Sequence, residues 1–167
     1  MPTLKPYVIR EATADCPSDQ ELESLYGRVY VDGGFTDSLI AKEMFAATVI
    51  RNRGKLFVAL ESKVLAPIGA AIMVPPGNPS CRLAGSAESE LHLLAVLNDY
   101  RGKGIGGDLI AAVMQAARAE GSTRMWLWSQ PSMRSAHRLY ARAGWRREKA
   151  RDFHQDDREF WVFVTDH

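Results

Sequence analysis

Four glycines, Gly102, Gly104, Gly106 and Gly107, stand close together between an apolar run, Glu90 to Val96, and a helical pattern that opens near Gly104. Glycine lets a chain turn tightly and brings bare N–H groups close to a ligand. A helix that starts there points unsatisfied N–H groups and a positive dipole end at the turn. That arrangement suits an anion, above all a phosphate or pyrophosphate. A P-loop is excluded, because Lys103 is followed by Gly104 where a Ser or Thr is required. The pattern G-x-G-x-x-G is met by Gly102, Gly104 and Gly107. A dinucleotide site, however, needs an acidic residue at the end of the next strand. That strand, Met125 to Trp128, runs into Ser129-Gln130. Upstream, Glu90 and His92 alternate with Leu91 and Leu93. By strand parity they share one face with Leu94 and Val96.

The stretch Arg101-Gly-Lys-Gly-Ile-Gly106 is also R-x-x-G-x-G, led in by Leu94-Ala95-Val96 and Tyr100. Further on, Ala136-His-Arg-Leu139-Tyr140-Ala-Arg-Ala-Gly144-Trp145 reads A-x-x-L-Y-x-x-x-G-[FW]. In this order, with a strand between them, the two motifs resemble the acetyl-CoA loop and the following helix of the GNAT (general N-acetyltransferase) superfamily. The resemblance covers about residues 56 to 165, and the first 55 residues fit it in outline.

What the resemblance implies is specific. The fold would be a mixed, mostly antiparallel twisted α/β sheet of six or seven strands flanked by helices, splayed between its fourth and fifth strands. The cosubstrate would be acetyl-CoA, with no metal. Backbone groups of Leu94, Ala95 and Val96 would meet pantetheine in the gap, because splayed edges leave N–H and C=O groups unpaired. The N–H groups of Arg101, Gly102, Lys103, Gly104, Ile105, Gly106 and Gly107 would hold the pyrophosphate. The family often has an Asn three residues before Ala136. Here that residue is Met133, so Ser132 or Ser135 would supply the contact. Arg134, Arg138 and Arg142 form a helical stripe. Most such stripes are solvated faces, but Arg134 or Arg138 could pair with a CoA phosphate. Tyr140 would sit beside the sulfur and protonate the leaving thiolate, the plain alternative being a core aromatic. The acceptor ammonium must first lose a proton, and Glu90 or His92 could take it. Against that stand a solvated strand start for Glu90 and a hydrogen-bonded core histidine for His92.

The expected activity is direct transfer of acetyl from acetyl-CoA to a primary amine, on a small molecule or a peptide N-terminus. A non-catalytic acyl-CoA sensor or scaffold, and a modifier of protein or RNA acceptors, are the rivals. Tyr26, Tyr30 and Phe35, with Asp32 and Asp37, lie where the family covers its acceptor.

The elements that must position these residues follow from pattern. Strands are expected at Tyr7–Arg10, 56–60, 68–74, 90–96, 125–128, from Trp145, and at 158–165. Helices are expected at 19–30, with a Ser18/Glu21 capping box, and at 38–52, 104–120 and from Pro131-Ser132 to Gly144. Residues 75–88 read as a long polar loop, of the kind that is functional or mobile. Trp126 and Trp128 read as core.

At 167 residues, 46% hydrophobic and 25% charged, the chain suits one domain over 1–167. Net charge is +1, which favours neither nucleic acid nor a membrane surface. Cys16 and Cys81 form no C-x-x-C and suit a reducing cytoplasm. Met1-Pro-Thr-Leu-Lys-Pro lacks the apolar core of a leader, and no run approaches a membrane span. The last strand could pair with a second copy in a homodimer, though nothing in the sequence requires it.

Overall fold

Pro67–Val74 is buried along its whole length, which only a strand covered on both faces can be. This strand, β3, sits inside a sheet built from β1 (Tyr7–Glu11), β2 (Lys55–Glu61), β4 (Ser89–Val96), β5 (Arg124–Ser129), β6 (Arg146–Arg147), β7 (Phe153–Gln155) and β8 (Arg158–Asp166). The computed structural model describes residues 4–167. Met1 to Thr3, the start of the segment read for a leader, lie outside them. The sheet order is β1-β2-β3-β4-β5-β8-β6, with β7 paired to β8. Every described pairing is antiparallel except β4 with β5. Eight strands are found among the described residues, against the six or seven expected. The additional ones are short: β6 has two residues, and β7 has three and turns into β8 through Asp156 and Asp157, both at positive φ. An Asp-Asp pair is a weaker signal for that hairpin turn than Asn-Gly.

The helices are α1 (Asp19–Tyr26), α2 (Ser38–Met44), α3 (Ala47–Arg53), α4 (Ile105–Ala119) and α5 (Arg134–Arg142). α1 starts at the capping box, with the Ser18 hydroxyl accepting from Glu21 N–H and the Glu21 carboxylate accepting from Ser18 N–H at 2.8 Å. It runs on through a π-helical turn, Gly27–Val31. α4 lies across β3 and β4: a Cβ on Gly69 would meet Leu109 and Ile105 at 3.1 and 3.2 Å. Leu109, Ile110 and Val113 on its inner face are buried, and each such side chain contributes roughly 1.5–3 kcal/mol.

The helix expected over 38–52 is two helices. Nothing local breaks it, since neither Gly nor Pro stands between Met44 and Ala47. The break comes from α1, where the Glu23 carboxylate accepts the Ala47 N–H at 2.9 Å and caps α3 from outside. Phe45 fills the corner and stacks on Tyr26, ring centroids 5.5 Å apart.

β4 and β5 pair only at Ser89–Met125 and Glu90–Trp126, and then part. On its other side β4 carries a bulge: Leu93 has φ 50° and the register with β3 slips between Ala70 and Ile72. Simple parity from Glu90 to Val96 therefore does not hold through the strand.

Candidate active site

The parting of β4 and β5 opens two clefts that meet. One, of about 660 Å³, runs from the Leu94–Val96 end of β4 past the glycine turn to α5. The other, of about 820 Å³, lies between α2–α3 and the ends of β4, β5 and β8. Tyr30, Leu94 and Met133 line both, so the clefts join at the mouth of the splay.

The first cleft gathers most of the residues expected to hold a cofactor. Leu94, Val96, Arg101, Gly102 and Gly104 to Gly107 line one wall, and Ser132, Ser135 and Arg138 the other. Arg134 and Arg142 join Arg138 there, so the arginine stripe faces the cleft. Ala95 and Lys103 do not line it. Ala95 is buried in the core, and Lys103 extends over the Tyr100 ring at 5.0 Å. Gly102 and Gly104 have φ of 75° and 85°, where a side chain would be strained. Tyr7, which sequence reasoning gave no role, steadies the turn: its hydroxyl lies 3.3 Å from the Lys103 carbonyl and 2.8 Å from Asp108. The first helical N–H groups of α4 have no intrahelical partner by construction, and no side chain among the described residues caps them. They point into a cleft already rimmed by arginines. A diphosphate-bearing thioester such as acetyl-CoA fits that set of donors.

The backbone of β4 is aimed at the gap. Leu97 N–H donates to the Ile68 carbonyl, so Leu97 faces β3 and its neighbour Val96 faces away. The carbonyls of Val96 and Leu94 are taken by side chains, Arg101 Nε at 3.2 Å and the Tyr30 hydroxyl at 2.9 Å.

In the second cleft the expected proton carriers come together unequally. Glu90 is fully buried and is not a solvated strand start. Its Oε1 accepts the N–H groups of Arg82, Leu83 and Ala84, at 2.7 Å for the first and last. Its Oε2 lies 2.6 Å from His92 Nε2. Both oxygens are occupied, so the expectation that Glu90 itself takes the proton meets a carboxylate with no free face. Burial raises the Glu90 pKa, but the hydrogen bonds from His92 and from the Ala84 and Leu83 amides outweigh it and hold the group below its usual range. Burial lowers the His92 pKa, only partly opposed by Glu90, with nearby Arg53 lowering it further. The ring is therefore neutral at pH 7, with its proton on Nε2 facing Glu90. Nδ1 is buried and its lone pair has no partner among the described residues. His92 lines the cleft, with its ring edge-on to Trp128 at 4.6 Å. Trp128 packs half-buried against the core cluster of Trp126 and Val162, as expected, and also forms a cleft wall, while Trp126 is buried.

Tyr140 lines the same cleft, packed between Trp145 and Phe163. Burial, with the Tyr30 hydroxyl nearby, pushes its pKa far up and keeps it protonated. Of the first helix–loop–helix aromatics, Tyr26 is core, Tyr30 sits at the junction and Phe35 lines the first cleft. Asp37 caps α2. Loop 75–88 is fastened by Glu90, and also by Glu88, which accepts from Gly85 N–H and Trp126 Nε1. Its Ser80 and Arg82 line the second cleft. Cys81 lies between them, and burial pushes its thiol up to about 11.

A family model for the acetyltransferase (GNAT) family matches residues 19–145. The chain belongs to that family. No curated protein matches it in sequence. Solved structures do match in fold. An acetyltransferase from Streptococcus agalactiae is 19% identical with a TM-score of 0.75, covering 98% of this chain and 99% of its own. A GNAT family acetyltransferase from Elizabethkingia anophelis with acetyl-CoA bound is 18% identical, with a TM-score of 0.63, over 97% and 99%. A Bacillus subtilis acetyltransferase in complex with CoA is 17% identical, with a TM-score of 0.65, over 96% and 99%. At such identities the likeness is one of fold. Among the described residues no helix is long and apolar enough to cross a membrane.

Proposed function

We propose that this GNAT protein transfers an acetyl group from acetyl-CoA to a primary amine by direct attack. The observation that carries the reading is the junction of the two clefts at Tyr30, Leu94 and Met133, where a nucleophile from one side can reach a thioester from the other. The diphosphate would lie on the N–H groups from Arg101 to Gly107, with the α5 arginines and serines on the opposite wall. The Leu94 and Val96 N–H groups would receive the pantetheine arm and the thioester oxygen, and that of Val96 would stabilise its developing charge.

The acceptor enters from the α2–α3 side. His92 Nδ1, directly or through a water, takes the ammonium proton, and Glu90 holds the ring in the tautomer that leaves Nδ1 free. The neutral amine attacks the acyl carbon. The carbon–sulfur bond breaks, Tyr140 gives its proton to the thiolate, and the second proton, shed by the nitrogen as the amide forms, restores the Tyr140 hydroxyl directly or through a water. A thiol raised to about 11, as that of Cys81 is, is a poor nucleophile at neutral pH, which argues against Cys81 as an acyl carrier and supports direct attack.

Titration calorimetry with acetyl-CoA, then free-thiol release over a panel of amines, tests the reading. Binding with amine-dependent release is expected. Tyr140→Phe should lower kcat by roughly 10²-fold or more and leave acetyl-CoA binding nearly intact. Binding without release by any amine would favour a sensor and sink the transferase.

A further inference from the structure

The wall of the acceptor cleft carries three arginines that have no ion-pair partner among the described residues. They are Arg53 from the end of α3, Arg82 from loop 75–88 and Arg158 from the start of β8. The chain is not short of acids, since Arg51, Arg124, Arg146 and Arg147 each have one. The three cleft arginines are also not simply splayed into water. Arg158 Nε is buried and has no acceptor among the described residues, a state that is costly unless a ligand supplies one. Arg53 is half-buried, and burial pulls its pKa down. Arg82 is set in place by Phe153, 3.9 Å beneath its guanidinium, and by Gln155 at 2.6 Å. Arg158 lies over Phe160 at 5.3 Å. Aromatic faces thus hold two of the planes and leave their edges for a planar or tetrahedral oxyanion.

Two carboxylates, Glu43 and Asp156, share the lining, and both are exposed. They leave an excess of one cation. The α2–α3 side adds an apolar wall of Ile40, Met44 and Val49.

We propose that the acceptor is a small primary amine that also carries an oxyanion, a carboxylate or a phosphate, seated on Arg53 and Arg158 with Arg82 beside them. The inference rests on the transferase reading above and names its substrate class. Arg53 and His92 line the same cleft, so an acceptor that engages both carries its anion and its amine in one small molecule. α-Amino acids and short aminoalkyl phosphates meet that condition. Polyamines and other purely cationic amines do not.

The test is free-thiol release from the full chain with acetyl-CoA over matched pairs: free α-amino acids against their carboxamides, and O-phosphoethanolamine against ethanolamine. The anionic member of at least one pair type is expected to show a kcat/KM roughly tenfold or more above its neutral partner. Which pair type responds separates carboxylate from phosphate. In Arg53→Met and Arg158→Met the preference should shrink through a raised acceptor KM, with the KM for acetyl-CoA unmoved. Arg82→Met, on an exposed side chain, provides the same readout should the half-buried variants fail to fold. Neutral amines used as well as or better than anionic ones would overturn the inference and leave the transferase standing, as would a preference that survives in the variants. Release by no amine, with acetyl-CoA still bound, would sink both.

Discussion

With Nε2 committed to Glu90, His92 keeps Nδ1 as its one basic atom, and two substitutions separate the roles of the pair. The base must be neutral to act. Its pKa in the free protein is lowered, so the acid limb of kcat/KM should fall below the ordinary histidine value of about 6.5. His92→Gln should remove that limb and lower kcat by roughly 10²-fold or more. In Glu90→Gln the hydrogen bond and charge that raise the His92 pKa are lost, so the limb should move to still lower pH. An unmoved limb in both variants would show that another group takes the proton. The same shifts bear on stability. A lowered Glu90 pKa contributes stability above the unfolded carboxylate value, which is lost as pH falls through the folded one. The neutral His92 acts in the same direction around its own, higher value. The residues of this dyad were legible as alternating polar groups in an apolar strand. Their division of labour was not, because the three amides that occupy Glu90 come from a loop whose path no periodicity reveals. The cleft arginines left a fainter trace: Arg53 has no acidic residue within four positions on either side.

Loop 75–88 shows how one side chain can hold an element. Three consecutive amides, those of Arg82, Leu83 and Ala84, share the Glu90 carboxylate. Leaving a buried donor without its charged acceptor costs about 1–3 kcal/mol. Glu90→Ala should therefore speed hydrogen exchange at those amides by roughly tenfold or more, since 1.4 kcal/mol is a factor of ten. Unchanged protection would mean that Leu83, buried against Trp126 and Val162, holds the loop by itself. At this scale the glycine turn, α4, α5 and the long strands were readable from period and caps. The split between α2 and α3, the bulge at Leu93 and the β7 hairpin were not. A cap supplied by Glu23 from another helix leaves no mark near the break. A left-handed leucine, costing roughly 1–2 kcal/mol, is set by tertiary packing against its own preference.

Across the whole molecule, the parallel strands β4 and β5 keep two paired positions and then separate, and the two clefts meet where they do. The motifs announced the first cleft, because a glycine turn and an L-Y helix are local. The second is assembled from α2, α3, loop 75–88 and β8, segments far apart in sequence, and only the fold brings them together. In the proposed reaction acetyl passes straight through this junction from thioester to amine. Rapid quenching of protein, acetyl-CoA and an accepted amine, with mass measured on the amine and on the intact chain, tests it most directly. Direct transfer gives acetylated amine from the first turnover, in step with free CoA, and a chain whose mass never changes. An acetyl group on the protein, formed and consumed at the rate of turnover, would contradict it and return attention to a nucleophile such as Cys81.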